Sequence, residues 1–171
     1  MIVETERLRL RELTEADAPA LLALYQHADV SRFMGPPPAS LDIETANIRS
    51  HRAQYYTARG YGLWGVESRE DGQLIGRCGL LDVTLRGRPE VELSYLIHPD
   101  RWGRGLATEA ARAVVAYARV PLGLTRIVAL IHPANTRSLH VAERLGMRPD
   151  GSVEYKTFGA VDLFVWTAPS P

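Results

Sequence analysis

The sequence is poor in several features that would narrow its class at once. Cys78 is the only cysteine, which excludes an internal disulfide, and Lys156 is the only lysine among 20 basic residues. Those basic residues are balanced by 20 acidic ones, so no global field exists to hold nucleic acid or an anionic membrane surface. No window approaches the roughly 20 apolar residues that span a bilayer. The N-terminus, MIVETERLRL, has neither a basic start followed by an apolar run nor a cleavage site, and no leader is expected from it. No glycine spacing ends in Gly-Lys-Ser/Thr, which excludes a P-loop. His27, His51, His98, His132 and His140 show no metal-ligand spacing such as HExxH, so no metal is expected. A cytoplasmic protein without nucleic-acid or membrane partners follows.

What is present fits one domain over residues 1–171, with 46% apolar residues to build its core. Arg7, Leu8, Arg9, Leu10 and Arg11 alternate as a strand with one buried face does, which predicts a strand over 5–11. Thr14 and Asp17 have the spacing of a capping box, and Leu21, Leu24, Tyr25 and Ala28 then recur at helical spacing with Pro19 in the first turn. The GPPP run at 35–38 marks a loop before a mostly polar helix over 42–57. Strands are predicted at 62–67, 73–81 and 91–98, the first two joined by an Asp71-Gly72 turn. A helix over 104–119, a doubly buried strand over 127–131 and a helix over 135–145 capped by Gly146 come next. Strands near 152–156 and 161–167 end the chain. The fold class is therefore α+β: a mixed, mostly antiparallel twisted sheet of about seven strands flanked by about four helices, in the order βααβββαβαββ.

The stretch VELSYLIHPDRWGRGLATEA, 91–110, carries the chemistry. In it a strand runs into a glycine-containing loop that opens a helix. Gly103 and Gly105 let successive amides converge, and the first helical turn presents unpaired N–H groups at the positive end of its dipole. A diphosphate fits such a junction, with Arg101, Arg104 and the Thr108 hydroxyl as added donors. The glycines alone describe a plain strand-to-helix turn with solvated arginines equally well. A dinucleotide fingerprint fails, because Thr108 replaces its last small residue and no Asp or Glu occurs over 110–142 to take a ribose hydroxyl.

Together with ETERLRLRELTEAD, LIGRCGLLD and HPANTRSLHVAERLGM, this stretch resembles the GNAT superfamily of acetyl-CoA-dependent N-acetyltransferases, in the branch that includes ribosomal-protein N-terminal acetyltransferases. The resemblance covers nearly the whole chain. Its coenzyme loop, Gln or Arg, two residues, Gly, one residue, then Gly or Ala, is matched by WGRGLA at Gly105 and Ala107 and departs at Trp102. The resemblance implies coenzyme contacts from Leu96, Ile97 and His98 at the strand end, and from Arg101, Trp102, Gly103, Arg104, Gly105, Leu106, Ala107 and Thr108 in the loop. It also implies that Asn135 contacts the coenzyme and that Ser138 lies near the reacting thioester; a helix cap at Asn135 and an ordinary helix hydroxyl at Ser138 are the plain alternatives. The tyrosine that many relatives carry four residues before the Gly of LGM is here Ala142, so Ser138 or water would protonate the leaving thiolate. The amide of Ile97 or a neighbour is the implied oxyanion donor.

Glu92 faces away from Val91, Leu93 and Tyr95 on its strand, and the resemblance implies a carboxylate there that accepts the amine proton; the plain reading is a strand carboxylate paired with arginine or solvent. Glu154 is the second candidate base. The loop containing Phe33 and Met34 and the tip containing Tyr155 and Phe158 are implied to flank the acceptor groove, although Phe33 and Met34 taken singly read as core. Cys78 reads as a core thiol. The implied function is transfer of an acetyl group from acetyl-CoA to a primary amine, either a peptide N-terminus or a small molecule. A coenzyme-binding sensor or scaffold without turnover is the alternative. A homodimer is left open.

Overall fold

The computed structural model describes residues 2–155 and 158–168; Lys156, at the end of an expected strand, lies outside them. In chain order the elements are β1 (Val3–Glu4), β2 (Leu8–Glu12), α1 (Ala18–Gln26), α2 (Ala28–Met34), α3 (Leu41–His51), β3 (Leu63–Ser68), β4 (Leu74–Leu85), β5 (Arg88–Ile97), α4 (Leu106–Arg119), β6 (Arg126–Ile131), α5 (Thr136–Arg144), β7 (Arg148–Glu154) and β8 (Ala160–Thr167). The strands form one sheet in the order β1-β2-β3-β4-β5-β6-β8-β7. Only the β5–β6 neighbours run parallel; every other pair is antiparallel.

The α+β class and the mixed sheet agree with expectation, while the counts among the described residues rise to eight strands and five α-helices. The strand expected over 5–11 begins only at Leu8, because residues 5–7 turn the chain back from a separate strand β1, whose Val3 pairs with Leu10. The single helix expected after Thr14 is also two. At His27 the backbone is extended, with ψ 128°, and its side chain accepts from Asp29 N–H as the N-cap of α2. Upstream, the capping box is present: Asp17 accepts from the Thr14 amide at 2.7 Å and from its hydroxyl at 3.1 Å. Arg11 holds the same carboxylate with two bonds of 2.8 Å, tying β2 to the entry of α1.

Helices cover the sheet on both faces. On one, α4 and α5 pack through Leu106, Ala110, Ala111, Val114 and Val141 onto Leu10, Val66, Leu80, Leu93 and Ile127. Burying a side chain such as Val114 is worth about 2 kcal/mol. On the other face, Leu21, Leu24, Val30 and Ile48 from α1, α2 and α3 meet Leu96 of β5. The central strand β6 serves both layers: Ile127, Ala129 and Ile131 join the α4 side, and Val128 packs with Val161, Leu163 and Val165. Cys78 lies in the α4-side core, where burial pushes its thiol pKa upward, as suits a packing role. Among the described residues no helix is long and apolar enough to cross a membrane.

Candidate functional site

Parallel neighbours β5 and β6 share a single register pair, Glu92 with Val128. Away from that point the strands part, and a sheet that opens this way leaves unfilled space between its two halves. A cleft of ≈ 320 Å³ occupies this region, lined by Tyr95, Leu96 and Ile97 from β5, the loop and first turn of α4, Asn135 and Ser138 at the start of α5, and Phe33 and Met34 of α2.

The loop before α4 has a conformation that its sequence dictates. Gly103 and Gly105 have φ +75° and +76°, in the left-handed region that costs a side-chain-bearing residue strain. Gly105 is the N-cap, and no side chain caps the helix. The first-turn amides of α4 are therefore left for an external acceptor, at the positive end of a 14-residue helix. The turn is braced from outside the cleft. Arg7 donates to the Arg104 carbonyl at 2.9 Å and to Glu109 at 2.7 Å, and Thr5 donates to Glu109 at 2.6 Å. For Glu109, burial opposes ionisation but is outweighed by these hydrogen bonds, so its pKa is lowered. Its charge is spent on Thr5 and Arg7 rather than offered to the cleft.

Trp102 takes the place where the resemblance expects Gln or Arg. Its indole N–H donates to the Ile97 carbonyl at 2.7 Å, and the Arg137 guanidinium lies 4.5 Å above its ring. It pins the loop to the end of β5. Arg137 and Arg144 line the cleft as well, giving it cationic walls that suit a diphosphate.

Of the expected coenzyme residues, Leu96, Ile97, Arg101, Trp102, Gly103, Gly105, Leu106, Ala107, Thr108, Asn135 and Ser138 line the cleft. Arg101 does so with its guanidinium already paired to Asp71 in the β3–β4 turn. Arg104 lies outside, on a neighbouring surface with Arg7 and Arg69. His98 is turned to structure: its Nδ1 accepts from Asp100 N–H at 3.3 Å and caps a short turn. Asn135 serves both readings, since it lines the cleft while its Oδ1 accepts from Ser138 N–H at 3.2 Å as the cap of α5.

The cleft also contains what sequence reasoning missed. Tyr95 points into it, and its phenol donates to the Ser138 carbonyl at 2.9 Å while accepting from Ser138 Oγ at 2.9 Å. Burial pushes the Tyr95 pKa upward, so the phenol keeps its proton. Glu92 is buried, 9% exposed, at the one register pair that joins β5 to β6, and is not among the cleft-lining residues. Glu154 is exposed at the end of β7, across from Ala160. The rings of Tyr155 and Phe158 stack with centroids 6.5 Å apart. Phe158 lies against Gly35, where an added Cβ would come within 3.1 Å of its ring. Phe33 and Met34 end α2 rather than lying in a loop, and Phe158 meets the chain just after them, at Gly35. Among the described residues, no three His, Cys, Asp or Glu side chains gather as a metal site requires.

Comparison with known proteins gives a consistent picture. A family model described as "Acetyltransferase (GNAT) domain" matches residues 7–148. The "Uncharacterized N-acetyltransferase YoaA" of Bacillus subtilis (strain 168) is 34% identical over 151 residues, spanning 88% of this chain and 84% of its own length. The crystal structure of the acetyltransferase from Agrobacterium tumefaciens str. C58 superposes with a TM-score of 0.81 at 29% identity, covering 97% of this chain and 94% of that one. A ribosomal L7/L12 alpha-N-protein acetyltransferase in complex with coenzyme A reaches a TM-score of 0.82 at 17% identity, covering 97% of each chain, a likeness of fold.

Proposed function

The chain belongs to the acetyltransferase (GNAT) family, and on that premise we propose that it transfers an acetyl group from acetyl-CoA to a primary amine by direct attack of the amine on the thioester. The observation that carries this reading is the uncapped, glycine-led start of α4, opening onto a cleft between parted strands. The first-turn amides of α4 hold the linked phosphates, and Arg137 and Arg144 add charge from the wall. The thioester end lies toward Tyr95 and Ser138.

A neutral nitrogen is required for attack. At pH 7 deprotonation costs about 1 kcal/mol for an α-amine and about 4.6 kcal/mol for a lysine-like amine, so the two acceptor types make different demands on a base. Glu92 is the base in this reading, because it is a buried carboxylate on β5 at the pair from which β5 and β6 diverge, and it takes the amine proton through water. The backbone amide of Ile97 or a neighbour donates to the developing oxyanion. Ser138, held by Tyr95, returns a proton to the leaving thiolate.

Incubation with acetyl-CoA and a mixture of peptides and small amines, followed by mass spectrometry, tests the reading. Acetylated amine with stoichiometric release of free thiol is expected. Binding of acetyl-CoA without any acetylated product would contradict it.

A further inference from the structure

A second cavity, of ≈ 300 Å³, lies on the other side of the sheet between α1, α3 and β4. It adjoins the cleft. Met34 lines both, and Arg77 stands across from Leu96, a cleft residue, in the β4–β5 register.

Arg77 sets the chemistry of this cavity. Among the described residues its guanidinium makes no hydrogen bond and no ion pair, and its Nε is fully buried without a partner. The Tyr25 ring lies 5.3 Å from the guanidinium carbon, and the Glu44 carboxyl feels its charge without a hydrogen bond between them. Buried donors without acceptors are rare and call for an explanation. Water can satisfy an N–H but does not neutralise the charge, whereas a carboxylate does both, through two parallel bonds.

Two further ionisable groups line the cavity, and neither replaces that carboxylate. Glu44 is 4% exposed and accepts from Asn47 Nδ2 at 3.3 Å without pairing to Arg77. Burial raises its pKa, against the opposing pull of the Asn47 bond and the Arg77 charge, while a guanidinium cannot give up its proton. His51 is held neutral, with its Nε2 accepting from Leu63 N–H at 2.7 Å. The durable charge of the cavity is positive.

We propose that this cavity receives the carboxylate of the acceptor, so that the substrate is a small amine carrying an acid group, which docks on Arg77 while its amino group reaches past Met34 into the cleft. This rests on the acetyltransferase reading above. The transfer forms the N–C bond and breaks the C–S bond of the thioester; the amine loses a proton and the departing sulfur gains one.

The test compares free amino acids with their carboxamides, and with short peptides that begin in Asp or Glu, as acceptors for the wild type, Arg77→Gln and Arg77→Lys. The free acids are expected to exceed their matched amides in kcat/KM by at least about tenfold, the usual scale for hydrogen bonds to a charged group. Arg77→Gln should bring the ratio close to one, with Arg77→Lys between. Arg77→Gln breaks no hydrogen bond or ion pair among the described residues, so its melting temperature should stay close to that of the wild type, and melting scans on both proteins separate a lost preference from misfolding. Calorimetric titration with N-acetylated amino acids and their amides supplies a second readout that needs no turnover, and only the acids should bind, in an Arg77-dependent way. Acids and amides acting alike, or neither binding, would overturn the proposal, and an Arg77-dependent preference confined to the acidic peptides would overturn its small-molecule part. Absence of acetyl-CoA binding would instead defeat the acetyltransferase reading itself.

Discussion

Tyr95 and Ser138 exchange two hydrogen bonds: the phenol donates to the Ser138 carbonyl and accepts from the Ser138 hydroxyl, each at 2.9 Å. They join β5 to the first turn of α5 across the cleft, and they commit the serine proton to the phenol in the resting protein. The pair then acts as a unit. Tyr95→Phe and Ser138→Ala are each expected to lower kcat by about 10-fold to 100-fold, with the double variant no worse than either single one. Additive losses in that cycle would separate the two residues. Tyr95→Phe also removes both bonds of this pair, leaving the Ser138 hydroxyl without its acceptor, and should cost about 1–2 kcal/mol in urea denaturation.

Two glycines should fail for different reasons. At Gly105 a Cβ would meet nothing closer than Arg7 Nη2 at 3.8 Å, so Gly105→Ala is limited to the strain of φ +76°, about 1–2 kcal/mol. The measurable effect is a fall in acetyl-CoA affinity as the loop amides shift, with a melting temperature lowered by only a few degrees. At Gly76 a Cβ would stand 2.0 Å from the Leu96 carbonyl oxygen, closer than any real contact. Gly76→Ala should therefore push β4 from β5 and yield little folded protein.

His51 gives stability a dependence on mildly acidic pH. Burial first, and then the Arg77 charge, lower its pKa from 6.5 to about 4. In that window the unfolded chain binds the proton and the folded chain does not, so stability falls as pH drops from about 6.5 toward about 4. The bond from Leu63 N–H to Nε2 requires that nitrogen unprotonated, which is the structural reason. Urea midpoints between these pH values should decline for the wild type, and His51→Gln should flatten the decline.

If Glu92 is the base, Glu92→Gln lowers turnover more at pH 7 than at pH 9, where less of the acceptor needs deprotonating. Initial rates at the two pH values, with saturating acetyl-CoA, decide it. Equal loss at both removes Glu92 from that role.

Much of this was legible in the residues because its signals are local. The period-two run, the Thr14–Asp17 capping box and the glycines opening α4 each depend on a few adjacent positions; the box and the glycines appear where expected, and the run does so from Leu8 onward. Two residues are too few to show a period, so β1 was invisible. The break at His27 was hidden because apolar spacing runs on through Ala28 and Val30 while only one backbone angle changes. Tyr95 shares its strand phase with Leu93 and so looks like core; the parting of β5 from β6, which exposes it to the cleft, is a long-range event. Arg77 lies in the apolar run LIGRCGLL, and nothing adjacent to it signals a cavity on that face. Arg101 and His98 are implied as coenzyme groups by the resemblance alone; that Asp71 pairs with Arg101 at the cleft wall and that His98 caps a turn through the Asp100 amide are contacts a position does not signal.

The central claim, that the start of α4 grips the diphosphate, is tested most directly by titrating acetyl-CoA into isotope-labelled protein and following the backbone amides by NMR. The account predicts saturable binding with the largest shifts at Gly105 to Thr108, and a melting temperature that rises with ligand concentration. No binding, or binding that leaves those amides unmoved, would contradict it.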